Sequence, residues 1–412
     1  MTLSLCMIVK DEAANLPRCL ASVQSFVDEM IVVDTGSQDD TIAIAQQWGA
    51  QVTSIPWQQD FAAARNHSLT LATSDWIVVL DADETFTPAG QHLLHQVRQG
   101  AAVGAESLDT VVAVNLLRHE VNAAQAPYSE VARVFRNRAD VRFERPYHES
   151  IDDSVTRLLQ TEPHWRVAVW PDVAITHTGY GAAAIVQRDK FTRAQTLMAA
   201  YLAAHPNDAY ICNKLGALYG SVGDWEQGRT LLERGLAVGT ADVATTYELH
   251  YHLGLAYRAA ALTAIAVDHY QKAIALPLPE ILKVGARLNL GSLLQARQDY
   301  RGAIAQFEAV THAAPDFAAG HFNLGIAKRA LGDLPGAVAA YHQAIALDSQ
   351  YAAAYQNLGV ALFKLDQIPE SIQALQQAIA LYRQTDPDAA ERLLQGIRNL
   401  GIQPDLSAPA SL

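Results

Sequence analysis

The chain has 412 residues, half of them hydrophobic, and a net charge of −13 at pH 7. Such a length holds two or three domains. The acidity excludes a broad nucleic-acid-binding face, which needs basic side chains, and no apolar run nears the ~20 residues that span a bilayer. Cys6, Cys19 and Cys212 lack metal-ligand spacing and read as small buried hydrophobes of a reducing compartment. The first strand starts within three residues of Met1, which leaves no leader. A cytoplasmic protein without a transmembrane segment is expected.

Leu3 to Val9 is an apolar run fit for a buried strand, followed by Lys10-Asp11-Glu12. Ala13 to Phe26 has apolar residues at helical spacing, with Pro17 near the first turn. Met30 to Val33 is a second buried strand ending at Asp34. Thr35-Gly36-Ser37 is a tight turn, with Ser37 expected to cap a helix over Asp39 to Trp48 that Gly49 closes. Gln51 to Ile55 is a third strand, and Asp60 to Leu71 a helix. Trp76 to Leu80, rich in β-branched residues, is a fourth buried strand. Connections this short force parallel crossovers, so the pattern predicts a doubly wound α/β domain.

That fourth strand runs into Asp81-Ala82-Asp83-Glu84. Residues two apart in an extended chain point to one side, so Asp81 and Asp83 can face one spot at the strand's C-terminal end. Ligands of open α/β sheets bind at that end, and two close carboxylates call for a cation, a hard divalent ion above all. The other reading is a solvated acidic turn before the next helix. Asp11 and Glu12, Asp34, Asp60 with Arg65, and Asp81 with Asp83 would all collect at one sheet edge. There is no GxGxxG after the first strand and no Gly-Lys-Ser/Thr loop, which speaks against a dinucleotide-binding oxidoreductase and a P-loop NTPase.

The blocks MIVKDEAANLPRCLASV, DEMIVVDTGSQDDT, DFAAARN and DWIVVLDADE resemble, in order and spacing, the nucleotide-sugar domain of family 2 glycosyltransferases of the GT-A fold. The likeness is to a bacterial subgroup with the DTGS and ARN blocks, some members of which carry helical repeats. The resemblance implies that Glu12 and Asp34 contact the nucleotide base and that Arg65 lies near the base or diphosphate. It implies that Asp81 faces the ribose or a metal-bound water, and that Asp83 ligates Mn2+ or Mg2+. Against this stand two plainer roles: Asp34 and Asp39 as helix caps, and Arg65 paired with Asp60. A nucleotidyltransferase shares such a sheet but usually has a Gly-rich, Arg-bearing loop after the first strand, which Met7 to Glu12 lacks.

Leu93 to Val97 marks a further helix and Val111 to Leu117 a further strand. Ala132 to Arg136 and Val141 to Phe143 read as a strand pair around Asn137 to Asp140. Val167 to Trp170 and Val173 to Thr176 bracket a turn at Pro171-Asp172 and lead to His177-Thr178-Gly179-Tyr180. In the resembling subgroup a His-Glu pair lies near the acceptor, matched by His148-Glu149, and a His before Gly-Tyr closes the metal site, matched by His177. Glu149 is then a candidate general base, or it pairs with Arg145 or Arg133; His177 is a candidate ligand, or it caps a strand end. The Glu-Asp dipeptide that many members use as base is missing, so the base stays open. Arg133 and Arg136 face either phosphate or ordinary surface.

From about Ala183 strand patterns vanish. Leu-Gly recurs at Leu215, Leu253, Leu290, Leu324 and Leu358, at spacings of 38, 37, 34 and 34 residues. A period near 34 is the signature of tetratricopeptide (TPR) helix pairs. Small residues at Ala266, Ala303, Ala337 and Ser371, each followed four later by Tyr270, Phe307, Tyr341 and Leu375, support it. Asn289, Asn323 and Asn357 directly precede Leu-Gly; in TPR peptide receptors an asparagine near this place binds peptide backbone, while the plainer role is a bond to a neighbouring helix. The expected division is a GT-A domain over 1–182, a connecting helix over 183–206, about five TPR repeats over 207–384, a capping helix over 385–402 and a tail over 403–412.

The whole reads as a two-part chain, α/β then an all-α TPR solenoid. It would be an inverting, metal-dependent hexosyltransferase taking sugar from a nucleotide-sugar, UDP-linked, with the repeats recruiting a protein or peptide acceptor or partner and no nucleic acid. The alternative is a non-catalytic TPR scaffold whose sugar-nucleotide domain is degenerate.

Overall fold

A computed structural model describes residues 1–121, 123, 126–178, 184–239 and 241–399, the side chains of 184–189 excepted. The chain forms two compact units, Met1–Ala260 and a second from Ala261 onward.

The first unit opens with β1 (Leu3–Val9), α1 (Leu16–Val23), β2 (Glu29–Asp34), α2 (Thr41–Gln47), β3 (Gln51–Ser54), α3 (Phe61–Leu71), β4 (Trp76–Val79) and β5 (Glu84–Phe86). It continues with α4 (Pro88–Gln99), β6 (Val111–Glu120), β7 (Tyr128–Arg136), α5 (Asp152–Thr161) and β8 (Arg166–His177). The eight strands form one mixed sheet in the order β3-β2-β1-β4-β7-β6-β8-β5. The first four strands pair in parallel, as expected. β7 then enters antiparallel between β4 and β6, and β5 lies antiparallel on β8.

Alternation along the strands feeds two cores. Leu3, Leu5, Met7, Trp76 and Val78 pack with α1 and α4 residues such as Leu16, Leu20, Leu93 and Leu94. Cys6, Ile31, Ile77 and Val79 pack on the other face with Leu69 of α3 and Val155 and Leu158 of α5. Burial on both faces explains why these strands read as unbroken apolar runs rather than alternating ones.

Four local expectations are corrected. α1 begins at Leu16, not Ala13, and gives way to a 3-10 turn over Gln24–Phe26. Ser37 caps no helix: its hydroxyl accepts from the Asp11 N–H at 2.9 Å, and the Asp39 carboxylate takes the Thr41 N–H at 3.0 Å instead. Val141 to Phe143 is no strand. After β7 the Asn137 amide is drawn to the carbonyls of Ala72 and Ser74, so the chain turns away, and Val141 and Phe143 become core residues. Pro171-Asp172 is no turn. β8 runs straight through it, and the register on β6 jumps from Leu116↔Trp170 to Leu117↔Val173, a bulge that places a proline where the ladder is already broken.

α6 (Ala184–Ala204), α7 (Ala209–Ser221), α8 (Trp225–Ala237) and α9 (Val243–Ala259) complete the first unit. Ala194, Met198 and Leu202 of α6 and Ile211, Cys212 and Leu215 of α7 form a core against which Tyr147 packs.

The described residues of the second unit form helices and no strand: α10 (Thr263–Ala275), α11 (Val284–Ala296), α12 (Tyr300–Ala313), α13 (Ala318–Leu331), α14 (Leu334–Leu347), α15 (Ala352–Lys364), α16 (Ile368–Thr385) and α17 (Pro387–Asn399). α11 with α12, α13 with α14 and α15 with α16 are packed pairs, and each pair packs on the next. The recurring Leu-Gly has a steric cause. A Cβ on Gly291 would lie 2.6 Å from the Phe307 ring, one on Gly325 2.5 Å from Tyr341, and one on Gly359 2.6 Å from Leu375. Asn289, Asn323 and Asn357 each donate from Nδ2 to their own helix's carbonyl one turn back, at 2.8, 2.7 and 2.9 Å. Each of those three bonds lies within one helix. Gly179, Tyr180, residue 183 and the stretch from Leu400, which sequence assigned to a domain junction, a helix end and a tail, lie outside the described residues. No helix among the described residues is long and apolar enough to cross a membrane.

Candidate active site

The C-terminal ends of β2, β1 and β4 lie side by side, because Val9 pairs with Asp34 and Cys6 with Val79. Asp34 and the Asp81–Glu84 run therefore share one edge of the sheet, with the loop after β1 between them. Asp34 is 1% exposed and accepts from the N–H groups of Gly36 at 2.9 Å and Ser37 at 3.2 Å. Gly36 sits at φ +108°, a backbone that suits glycine and folds the turn back on the carboxylate. Glu12 holds the Asn15 amide at 2.9 Å; burial, with the charge of Asp83 adding to it, pushes its pKa up.

Beyond this, nine side chains form an unbroken series of contacts. Arg65, on α3, donates from Nε to Glu149 at 2.6 Å and from Nη2 to Asp81. Arg133, on β7, reaches the other oxygen of Asp81 at 2.6 Å and Glu84 at 2.9 Å. Arg118, on β6, joins Glu84 at 2.7 Å to Glu120 at 2.8 Å. The second oxygen of Glu120 meets His177 Nδ1 at 2.6 Å, and His177 Nε2 lies 3.3 Å from Asp83. α3 can deliver Arg65 because Asp60 caps its N-terminus, accepting from Ala63 N–H at 2.9 Å. Asp60 thus takes the capping role, and Arg65 pairs elsewhere.

The electrostatics follow from the pairing. Burial alone would raise the Asp81 pKa, but Arg133 and Arg65 overcome it and hold the carboxyl far below its usual range. Burial likewise opposes ionisation of Glu120, yet hydrogen bonds from His177 and Ser129 and the charge of Arg118 bring it to about 2. Burial would lower His177; the bonds to Asp83 and Glu120 win and raise it to about 9.

Of the residues singled out in the sequence, Arg65, Asp81, Asp83, Glu149 and His177 lie in this one series. Glu12 and Asp34 flank it on the β1 and β2 side. Glu149 pairs with Arg65 rather than with Arg145 or Arg133. Glu84, Arg118 and Glu120 were not foreseen, and Arg133 had been left open. Two of these had a visible signal, since Arg118 and Glu120 are two apart on one strand and so share a face. Arg136 is structural: its guanidinium stacks on Trp76 and Trp165 at 4.9 and 5.1 Å and donates to the carbonyls of Val111 and Leu108. A strip of rings leads to Tyr147 and His148, the residues before Glu149: Trp57 on Phe61 at 4.6 Å, Phe61 on Tyr147 at 5.5 Å and Tyr147 on His148 at 5.0 Å.

Asp83 and His177 fit a divalent metal by donor type, a carboxylate oxygen and an imidazole nitrogen. The contact of Glu120 to the far ring nitrogen is the carboxylate support that ligating histidines usually have. Among the described residues no group of three or more His, Cys, Asp or Glu side chains gathers to hold an ion alone. Two protein ligands would leave places for substrate oxygens.

The family model described as Glycosyl transferase family 2 matches residues 4–115, and three TPR models match 288–344, 325–366 and 352–385. A TPR repeat-containing protein of Synechococcus elongatus is 47% identical over 295 residues, 71% of each chain. The chain belongs to the family 2 glycosyltransferases that carry TPR repeats. An uncharacterized glycosyltransferase of Rickettsia felis is 28% identical over 45% of this chain and 65% of its own length. The glycosyltransferase SunS of Bacillus phage SPbeta is 30% identical over 36% of this chain and 34% of its own. Among solved structures, the TPR protein YrrB overlays 48% of this chain and 97% of its own at 18% identity and a TM-score of 0.40. Arg65, Asp81, Asp83 and Glu84 of the series lie within residues 4–115, and Arg118, Glu120, Arg133, Glu149 and His177 lie beyond them.

Proposed function

We propose that this family 2 glycosyltransferase moves a hexose from a UDP-sugar to an acceptor hydroxyl with inversion at the anomeric carbon. The observation that carries the reading is the series from Glu149 to Asp83, which joins an acceptor-side carboxylate to a metal-fitting pair across one edge. Glu12 and Asp34 hold the base, and Arg65 and Asp81 border the ribose and diphosphate. Asp83 and His177 would hold Mn2+ or Mg2+, which would neutralise charge growing on the leaving diphosphate. Glu149 Oε1 is fixed by Arg65, while Oε2 has no hydrogen-bond partner among the described residues. Oε2 takes the acceptor's proton as its oxygen bonds to the anomeric carbon and the bond to the diphosphate breaks. The repeats dock a protein or peptide partner.

The test is a melting series of the full chain with nucleoside diphosphates, with and without Mn2+. UDP raises the midpoint only with metal, and Asp83→Asn removes the shift. Glu149→Gln keeps the shift but lowers sugar transfer by about 10²-fold or more. A Glu149→Gln protein with undiminished transfer overturns the assignment of the base. Metal-independent UDP binding overturns that of the cation.

A further inference from the structure

The position before each Leu-Gly differs between the two units. In the second it is Asn289, Asn323 and Asn357; in the first it is Lys214 and His252. The asparagines bond their own helices. Lys214 and His252 instead join a polar cluster. Lys214 Nζ donates to Glu248 Oε2 at 2.6 Å. Asn213, wholly buried, donates from Nδ2 to the same oxygen at 2.5 Å. Its Oδ1 faces His252 Nδ1 at 2.8 Å.

This network fixes the proton positions. Asn213 spends its amide N–H on a carboxylate, so its oxygen is an acceptor and His252 Nδ1 carries the hydrogen. In the neutral ring His252 Nε2 is then an acceptor. Burial pushes the His252 pKa down to about 4, so that ring is neutral at pH 7, and Lys214 and Glu248 cancel. Glu248 Oε1 and His252 Nε2 have no hydrogen-bond partner among the described residues. They lie one turn apart on α9, on one face. The result is an uncharged site with two neighbouring acceptors and an ammonium donor.

The cluster lies within electrostatic reach of the loop that carries Glu149. The charges of Lys214 and Glu248 act on His148, the residue before Glu149, and Arg118 of the site series acts on both His148 and Lys214. α7 is fastened to that loop: Arg145 donates to Asp208, its N-cap, at 2.9 Å and lies 4.7 Å from the Tyr210 ring. The strip from Trp57 to His148 supplies aromatic surface alongside.

We propose that α7 and α9 are the saccharide-binding half of the acceptor site. Two neighbouring acceptors match the two hydroxyl donors of a vicinal diol, and Lys214 meets a ring or hydroxyl oxygen. A peptide backbone offers donors and acceptors in alternation and fits two adjacent acceptors less well. The absence of net charge suits an uncharged sugar, and half-exposed rings suit its C–H faces. This inference rests on the proposed transfer reaction. It makes the helices of the first unit selectors of the acceptor, separate from partner docking by the later repeats.

The experiment uses the full chain with UDP and Mn2+ and a panel of methyl glycosides of glucose, galactose, mannose and N-acetylglucosamine, read by saturation-transfer NMR. At least one glycoside binds, and His252→Phe and Glu248→Gln weaken it by about tenfold or more. His252→Asn, which installs the side chain of the later repeats, gives the same loss and covers the case in which another variant does not fold. No binding by any glycoside, wild-type affinity in folded variants, or binding of a serine- or threonine-bearing peptide that these variants abolish, each overturns the saccharide assignment. A chain that fails to bind UDP at all strikes the transfer reaction itself. UDP binding with no sugar binding strikes only this inference.

Discussion

Arg133 shows how much of the site depends on one guanidinium. It is 9% exposed and stands between Asp81 and the fully buried Glu84. Arg133→Met takes one of two guanidiniums from each carboxylate and leaves Asp81 to Arg65 and Glu84 to Arg118. The loss of stability is expected to be about 1.5–3 kcal/mol, measured by denaturant midpoint, with part restored by adding Glu84→Gln. A change under 1 kcal/mol would mean that the contacts are as weak as surface ion pairs. The sequence could not single this residue out. Arg133 and Arg136 look alike on paper, and only the insertion of β7 between β4 and β6 turns one toward Asp81 and the other onto Trp76 and Trp165. Asp83 and His177, by contrast, were visible because a buried strand ending in acids, and a histidine closing a later strand, carry their chemistry in local order.

At the scale of elements, strands buried on both faces and the repeating helices were the legible parts. Both rest on local rules: unbroken β-branched runs, and a period near 34 residues. Illegible were features decided by distant partners. β5, only three residues long, exists because β8 offers it an edge. The expected hairpin after Arg136 fails because Asn137 finds carbonyls 63 and 65 residues away. The helix pairs give a matched prediction. Gly325→Ala puts a Cβ against the buried Tyr341 ring and is expected to cost about 1–3 kcal/mol of overpacking, outweighing the gain in helix propensity. Gly396→Ala, in α17, meets nothing within 4 Å and is expected to stabilise by about 0.5–1 kcal/mol. Melting points that move in opposite directions support this packing; two stabilised variants contradict it.

At the scale of the molecule, composition and contact mark different places. The texture of the sequence changes near residue 183, but the first compact unit runs on to Ala260. Composition has no means of registering Arg145 on Asp208 or Tyr147 against the core of α6 and α7. A chain ending at Ala260 is expected to melt cooperatively and to keep its UDP response. A chain ending at Thr178 strips the helical cover from Tyr147 and is expected to aggregate or melt well below it. Equal melting of the two would show that α6 to α9 add nothing to the first unit. The nine-membered series within that unit has a further consequence. Five carboxylates there face three guanidiniums and one imidazole, so once the imidazole gives up its proton to take a metal the series is short of two positive charges. A doubly charged ion brings this electrical ledger to zero, whereas sodium or potassium leaves it half in arrears.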